Sequence, residues 1–217
     1  MYKKTNFIIP QFNINFNSFD ESYSDFIKNI CLVTVRQELD IPESDKLKRN
    51  GTFRRWLFYL DGDVLKQSRV KIQTLLWTDG NGIQKYISVF PNFIIKYNVA
   101  TTDLIELIST NVRKGDDVFK YIEDPDSLVE SEDVLIRACQ KIDKACTTGG
   151  FAAQLSAKYT TMFSASLSIS LLNNNILSLQ LFKNTCVLLE ISRICFECSI
   201  LKDASLSHLN ATFEFLR

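Results

Sequence analysis

Apolar and β-branched residues fall in three runs, over 52–60, 69–77 and 83–90, separated by Asp61-Gly62 and by Asp79-Gly80-Asn81-Gly82. Asp-Gly and Asn-Gly supply the positive φ that tight hairpin connections need, so the pattern predicts a three-stranded antiparallel meander. Within the second run Val70, Ile72 and Thr74 alternate with Lys71, Gln73 and Leu75, as a half-solvated strand would. Residues 1–45 are mixed. NFIIPQFNINF alternates apolar and polar positions, whereas Phe26, Ile27, Ile30 and Val33 sit at roughly helical spacing.

Beyond Asn98 the period becomes helical. Thr102 is the predicted N-cap of DLIELISTNV, with Asp103 and Glu106 in an acidic first turn and Gly115 near its end. DDVFKYIED predicts a second helix that stops before Pro125. DSLVESEDVLIRACQKIDKAC follows, with Val134, Leu135, Ala138, Ile142 and Ala145 along one face, and then FAAQLSAKYTTMF. Residues 166–182 suit a hairpin by alternation and a helix by length. The stretch from Asn175 to Leu201 reads as a long, mostly buried helix with Lys183, Glu190 and Glu197 as its wet stripe, and the last ten residues suit either state. Strands followed by helices give an α+β order rather than alternating βαβ units.

At 217 residues the chain can bury a substantial core, and 46% hydrophobic with 23% charged residues is an ordinary globular balance. Sixteen phenylalanines predict a Phe-filled interior. No secretory pattern opens the sequence, so a cytoplasmic protein is expected. Residues 160–182 carry no charge, but alternating serines and Asn173, Asn174 and Asn175 argue against a membrane span. The net charge is zero, which gives no global pull towards nucleic acid or membrane. Its distribution is uneven. Between Lys46 and Lys96 ten basic side chains face three acidic ones, a surplus of seven positive charges. Between Thr101 and Asp133 ten acids face three bases, a surplus of seven negative charges.

Catalytic chemistry finds little to stand on. The only histidine, His208, lies beside no activating motif, and no phosphate-cradling glycine loop occurs. The six cysteines include one C-x-x-C, Cys195 to Cys198, which lacks the second ligand pair of a structural zinc site. Cys139 and Cys146 share one helical face, as packing also requires. Asp116, Asp117, Glu123, Asp124 and Asp126 match no calcium loop and leave a metal-dependent nuclease or recombinase as a remote alternative. No catalytic residue, metal site or cofactor is therefore expected. The basic strands are the exception, because cations interleaved with aromatics suit a nucleic-acid surface. Arg54, Arg55, Lys71 and Lys85 are the candidate phosphate contacts, and Trp56 or Tyr59 the candidate stacking residue.

The order NGTFRRWLF, VKIQTLLW, QKYISVFPNFIIKYN and TTDLIELIS resembles the N-terminal domain of uncharacterised, transposase-associated proteins of Gram-positive bacteria and their mobile elements. The matching positions are 50–55, 70–73 and 88–97. The resemblance implies a zinc ribbon followed by a helical, helix–turn–helix-like region, yet no cysteine lies between Cys31 and Cys139. The second C-x-x-C position reads LLWTDGNG, so the ribbon is expected to be metal-free and held by an apolar face including Trp77, Phe90 and Phe93. KIDKACTTGGFAAQLSAKY could supply a helix–turn–helix around Gly149-Gly150, or a helical hairpin in the core. The expected organisation is an entry segment over 1–45, a zinc-ribbon-like β module without zinc ligands over 46–98, and a helical domain over 99–217. The expected function is non-catalytic DNA binding related to mobile elements. A protein-interaction or regulatory module that has lost DNA binding is the alternative.

Overall fold

The computed structural model describes residues 4–9, 18–62, 64–95, 98–116, 120, 133–145, 151–167 and 177–213. β2 (Lys46–Asp61) and β3 (Val64–Thr78) form a long antiparallel hairpin, and β4 (Gln84–Pro91) returns along the far half of β3. The chain reverses where the glycines allow it, at Gly62 with φ 61° and at Gly82 with φ 79°. In the second turn Asp79 accepts hydrogen bonds from the N–H groups of Asn81 and Ile83, both at 2.9 Å. β1 (Lys4–Ile9) adds a parallel strand beside β4, so the sheet order is β1-β4-β3-β2. The antiparallel meander is thus present and carries one extra edge strand. The register of β2 shifts between Arg49 and Thr52, where Gly51 has φ 76°, a bulge that bends the strand.

The first core lies between the sheet and two short helices, α1 (Phe19–Lys28) and α2 (Leu32–Glu38). Phe19, Tyr23 and Phe26, spaced at one helical turn, are buried against Leu57, Tyr59, Ile72 and Ile87. Phe90 and Phe93 join the same cluster, and Trp77 packs at its margin with its Nε1–H donated to Asp45 Oδ2 at 2.8 Å. The roughly helical spacing of Phe26, Ile27, Ile30 and Val33 spans two helices rather than one: the first ends at Lys28, Val33 is 62% exposed, and the second buries Val35 instead. Arg49 bridges this break. Its guanidinium donates to Ile27 O, Lys28 O and Ile30 O at 2.9, 2.9 and 3.1 Å, satisfying carbonyls at the negative end of α1.

The second core is helical. It is formed by α3 (Thr102–Arg113), α4 (Asp133–Ala145), α5 (Phe151–Phe163), α6 (Leu177–Glu197) and α7 (Leu206–Phe213). The sheet contributes Phe58 to this cluster while its neighbours Leu57 and Tyr59 face the other, so β2 separates the two cores. Val99–Thr101 runs beside β2: Phe58 N–H donates to Val99 O at 2.7 Å and Thr101 N–H to Phe58 O at 3.1 Å. The α3 cap sits one residue earlier than expected. Thr101 Oγ1 accepts from Leu104 N–H at 3.4 Å, while Thr102 Oγ1 donates to Phe93 O. Asn210 of α7 donates to Asn92 O and Ile94 O at 2.7 and 3.2 Å, tying the helices to the turn after β4.

The wet stripe expected on α6 is only partly wet. Lys183 and Glu197 are exposed, but Glu190 is 5% exposed and clasped by Arg113 and Arg193. From Leu177 the ambiguous stretch is helix, and 168–176 lies outside the described residues. Also outside are most of DDVFKYIED, the acids Asp117, Glu123, Asp124 and Asp126, Cys146 and the Gly149-Gly150 turn. Leu135 and Ala138 of α4 are buried as their spacing predicts. The architecture is α+β. Among the described residues no helix is long and apolar enough to cross a membrane.

Candidate nucleic-acid interface

β3 extends well past β4: the two pair only from Gln73 onward, leaving 53–72 as a β2–β3 ribbon that β4 does not reach. Side chains alternate between the faces of a strand, so the ribbon register decides which candidates meet. Phe53, Arg55, Leu57 and Tyr59 turn towards α1, opposite Ile72, Val70, Ser68 and Lys66. Arg54 and Trp56 turn away from α1, opposite Lys71 and Arg69. Further along this second face Phe58, Leu60 and Leu65 enter the helical core, which bounds the open patch at one end.

On the open face Arg54, Arg69 and Lys71 are exposed, and Trp56 is 49% exposed. The Arg69 guanidinium stands over the Trp56 ring at 5.9 Å from its centroid. Arg54 and Lys71 lie directly across the ladder from one another, a like-charge pair that a sheet disfavours. Among the described residues no acidic side chain forms an ion pair with Arg54, Arg69 or Lys71. The result is a patch of three cations around one aromatic ring.

The other three candidates are placed elsewhere. Arg55 is half-buried on the α1 side, where it donates to Ile95 O at 3.3 Å and burial lowers its pKa. Tyr59 is 6% exposed and stacks on Phe19 at 4.0 Å between centroids; burial, then the neighbouring Asp20, raises its phenol pKa. Lys85 sits over the Trp77 ring at 3.9 Å. It lies opposite Trp77, six residues along β3 from Lys71, or roughly 20 Å. Arg69 is the member that inspection of the separate runs overlooks. Its signal lies in the Asp61-Gly62 turn, because counting outward from that turn pairs residue 56 with 69 and 54 with 71.

The ribbon is held from behind. Tyr23 Oη donates to Lys71 O at 2.9 Å, satisfying a carbonyl on the bare edge of β3, and Ser68 Oγ donates to Asp20 Oδ1 at 2.8 Å. Burial pushes the Tyr23 phenol well above its ordinary pKa, despite the opposing charge of Arg55, so this donor keeps its proton.

The helical half has a concavity of about 220 Å³, lined by Glu106, Arg113, Cys186 and Arg193 among others. Its polar groups are already engaged: both arginines bind Glu190, and the Glu106 carboxylate accepts from Leu206 N–H at 2.9 Å. Burial pushes the Cys186 thiol up to about 11 and raises that of Cys195, so both stay protonated at neutral pH. Among the described residues no three His, Cys, Asp or Glu side chains gather as a metal site.

No protein-family model matches the chain, and comparison with curated proteins and with solved structures finds no match.

Proposed function

We propose that this protein binds DNA without catalysing a reaction on it, through the open face of the β2–β3 ribbon, in the cytoplasm. The observation that carries the reading is the juxtaposition of Arg54 with Lys71 and of Trp56 with Arg69 on one exposed surface. Opposed cations lower the stability of a free sheet and gain it back when a phosphate sits between them. The aromatic ring beside them adds a flat surface for a base. A link to mobile elements rests on the resemblance carried by 50–55, 70–73 and 88–97.

The test is a titration of labelled DNA, single-stranded and duplex in parallel, at about 50 and 200 mM salt. Three phosphate contacts give a logarithmic salt slope of about −2.1 to −2.7, so affinity should fall roughly twenty- to fortyfold between the two conditions. Arg54→Ala combined with Lys71→Ala should weaken binding and flatten that slope. Absence of binding to either DNA form at the lower salt, or an unchanged affinity in the double variant, removes the DNA reading. A protein-interaction surface is the competing account, and it draws on Trp56, 49% exposed on the open face. That surface would bind its partner with little dependence on salt.

A further inference from the structure

We infer that the ribbon face takes single-stranded rather than duplex DNA, an inference that rests on the DNA-binding reading above. Three features of the face lead there.

The first is shape. A two-stranded ribbon reads a duplex by entering the major groove, about 12 Å wide and 8.5 Å deep. This ribbon cannot enter as a bare ribbon, because α1 lies along its back. Phe19 stacks on Tyr59, Tyr23 bonds to Lys71 O and Asp20 bonds to Ser68. A helix with its side chains is itself about 10–12 Å across, as wide as the groove. At the turn end, Phe58, Leu60 and Leu65 carry the helical core on the same side as the patch. What remains accessible is a shallow platform beside a wall.

The second is the chemistry of the platform. Its centre is Trp56, half-exposed, and an indole face recognises an unstacked base. Bases inside a duplex offer only their edges, which are read by hydrogen-bonding side chains reaching into a groove. The Arg69 guanidinium is already placed over the ring. The cations around the ring would have to enter a groove to read base edges, which the shape of the platform denies them, so stacking is the contact left to this face.

The third is spacing. Arg54 is two residues from Trp56 on β2, and Lys71 two residues from Arg69 on β3, about 7 Å along each strand. One base stacked on Trp56 would thus have its flanking phosphate within reach of the Arg54–Lys71 pair. This places backbone contact on one side of a single stacked nucleotide, with Arg69 completing the cationic face of the stack.

The two tryptophans of the chain make the inference directly measurable. Trp77 is partly buried and bonded to Asp45, so Trp77→Phe in the full chain leaves Trp56 as the only indole emitter. This variant is titrated at about 50 mM salt with a short oligothymidine and with a short duplex, following its emission. Anisotropy of the labelled DNA gives both affinities. The expected result is quenching of Trp56 by the single strand and at least about tenfold tighter binding than to the duplex. In the otherwise unchanged chain, Trp56→Leu should weaken single-strand binding by about five- to a hundredfold. Duplex affinity should fall by clearly less than single-strand affinity does. Circular dichroism of both variants confirms that the fold is retained. Equal or tighter duplex binding overturns the inference, as does saturation by the single strand without a change in Trp56 emission. An unchanged single-strand affinity in Trp56→Leu overturns it as well. The two readings fail in different ways. Binding of neither DNA removes the DNA reading itself, whereas duplex binding that is lost in Arg54→Ala with Lys71→Ala leaves that reading standing and removes only this one.

Discussion

Replacing Asp103 with asparagine should stabilise the fold at neutral pH, and the gain should shrink as the pH falls. Asp103 is in the first turn of α3, half-buried and near Glu106. Burial, reinforced by the negative charge of Glu106, raises its carboxyl from 3.8 to about 6. A carboxyl that ionises less readily in the fold than in the free chain opposes folding whenever it is charged. The penalty is complete above the folded value and relieved as the pH falls towards the unfolded one. The difference between 3.8 and about 6 corresponds to about 3 kcal/mol at pH 7. Residual solvent contact reduces that figure, and the positive end of α3 favours a negative side chain by about 0.3–1 kcal/mol. A net gain of about 1–2 kcal/mol for Asp103→Asn remains at pH 7, falling to about half at pH 5. Urea denaturation at the two pH values, with m held constant, measures both numbers. A variant less stable than the parent at pH 7, with the gap widening as pH rises, would show that the helix dipole outweighs burial and that the reasoning is wrong.

Glu190→Ala should destabilise the protein by about 2–4 kcal/mol in the same assay, because it strands Arg113 beside a buried position. Glu197→Ala, exposed on the same helix, should change stability by less than about 0.5 kcal/mol. Burial raises the Glu190 pKa, but hydrogen bonds from Arg113 and Arg193 outweigh it and leave the group below its ordinary range. Its contribution is therefore present at neutral pH and lost as the pH falls below about 4, so the Glu190→Ala deficit should shrink in acid. Leu75→Ala, at a side chain with no solvent exposure, should cost about 2–5 kcal/mol and leave salt-dependent DNA binding intact in the folded fraction. Lys71→Glu should raise the low-salt melting temperature slightly, by about 0.5 kcal/mol of stability, while abolishing DNA binding.

The hairpins were legible because their information is local. Asp61-Gly62 and Asp79-Gly80-Asn81-Gly82 mark the turns, and the first also fixes the register that pairs Arg54 with Lys71. The choice between Arg54 and Arg55 was not legible. Beyond Trp56 the strand reads Leu-Phe-Tyr-Leu because both of its faces are covered, and a doubly covered strand loses the two-residue period that would assign sides. The same effect defeats the half-solvated reading of β3, where Gln73 is 4% exposed beside fully buried Leu75. Gln73 tolerates this because its amide donates to Gly51 O and Thr74 O, both at 2.8 Å. Glu190 failed for a different reason. Its heptad position says solvent, but its main partner, Arg113, is 77 residues distant in sequence, and no local pattern encodes that meeting. β1 was equally hidden, since a short parallel edge strand is specified by the strand it joins rather than by its own turn signals.

The open face of the ribbon contrasts with its back. On the back, Leu57 and Ile72 have no solvent exposure, and burying each contributes about 1.5–3 kcal/mol. A cross-strand repulsion of about 0.2–1 kcal/mol between Arg54 and Lys71 is small beside that, so the hairpin can hold the two cations together without unfolding. Nothing in the packing requires this pairing, because both side chains point to solvent and any polar pair would serve the fold as well or better. An anion between them turns the repulsion into two charge-assisted hydrogen bonds, and anything that binds the folded ribbon alone must stabilise it. The fold gains nothing from that arrangement, whereas the proposed phosphate site would depend on it. Lys71→Glu therefore separates the two: a more stable hairpin that no longer binds identifies the opposed cations as a binding device rather than a surface accident.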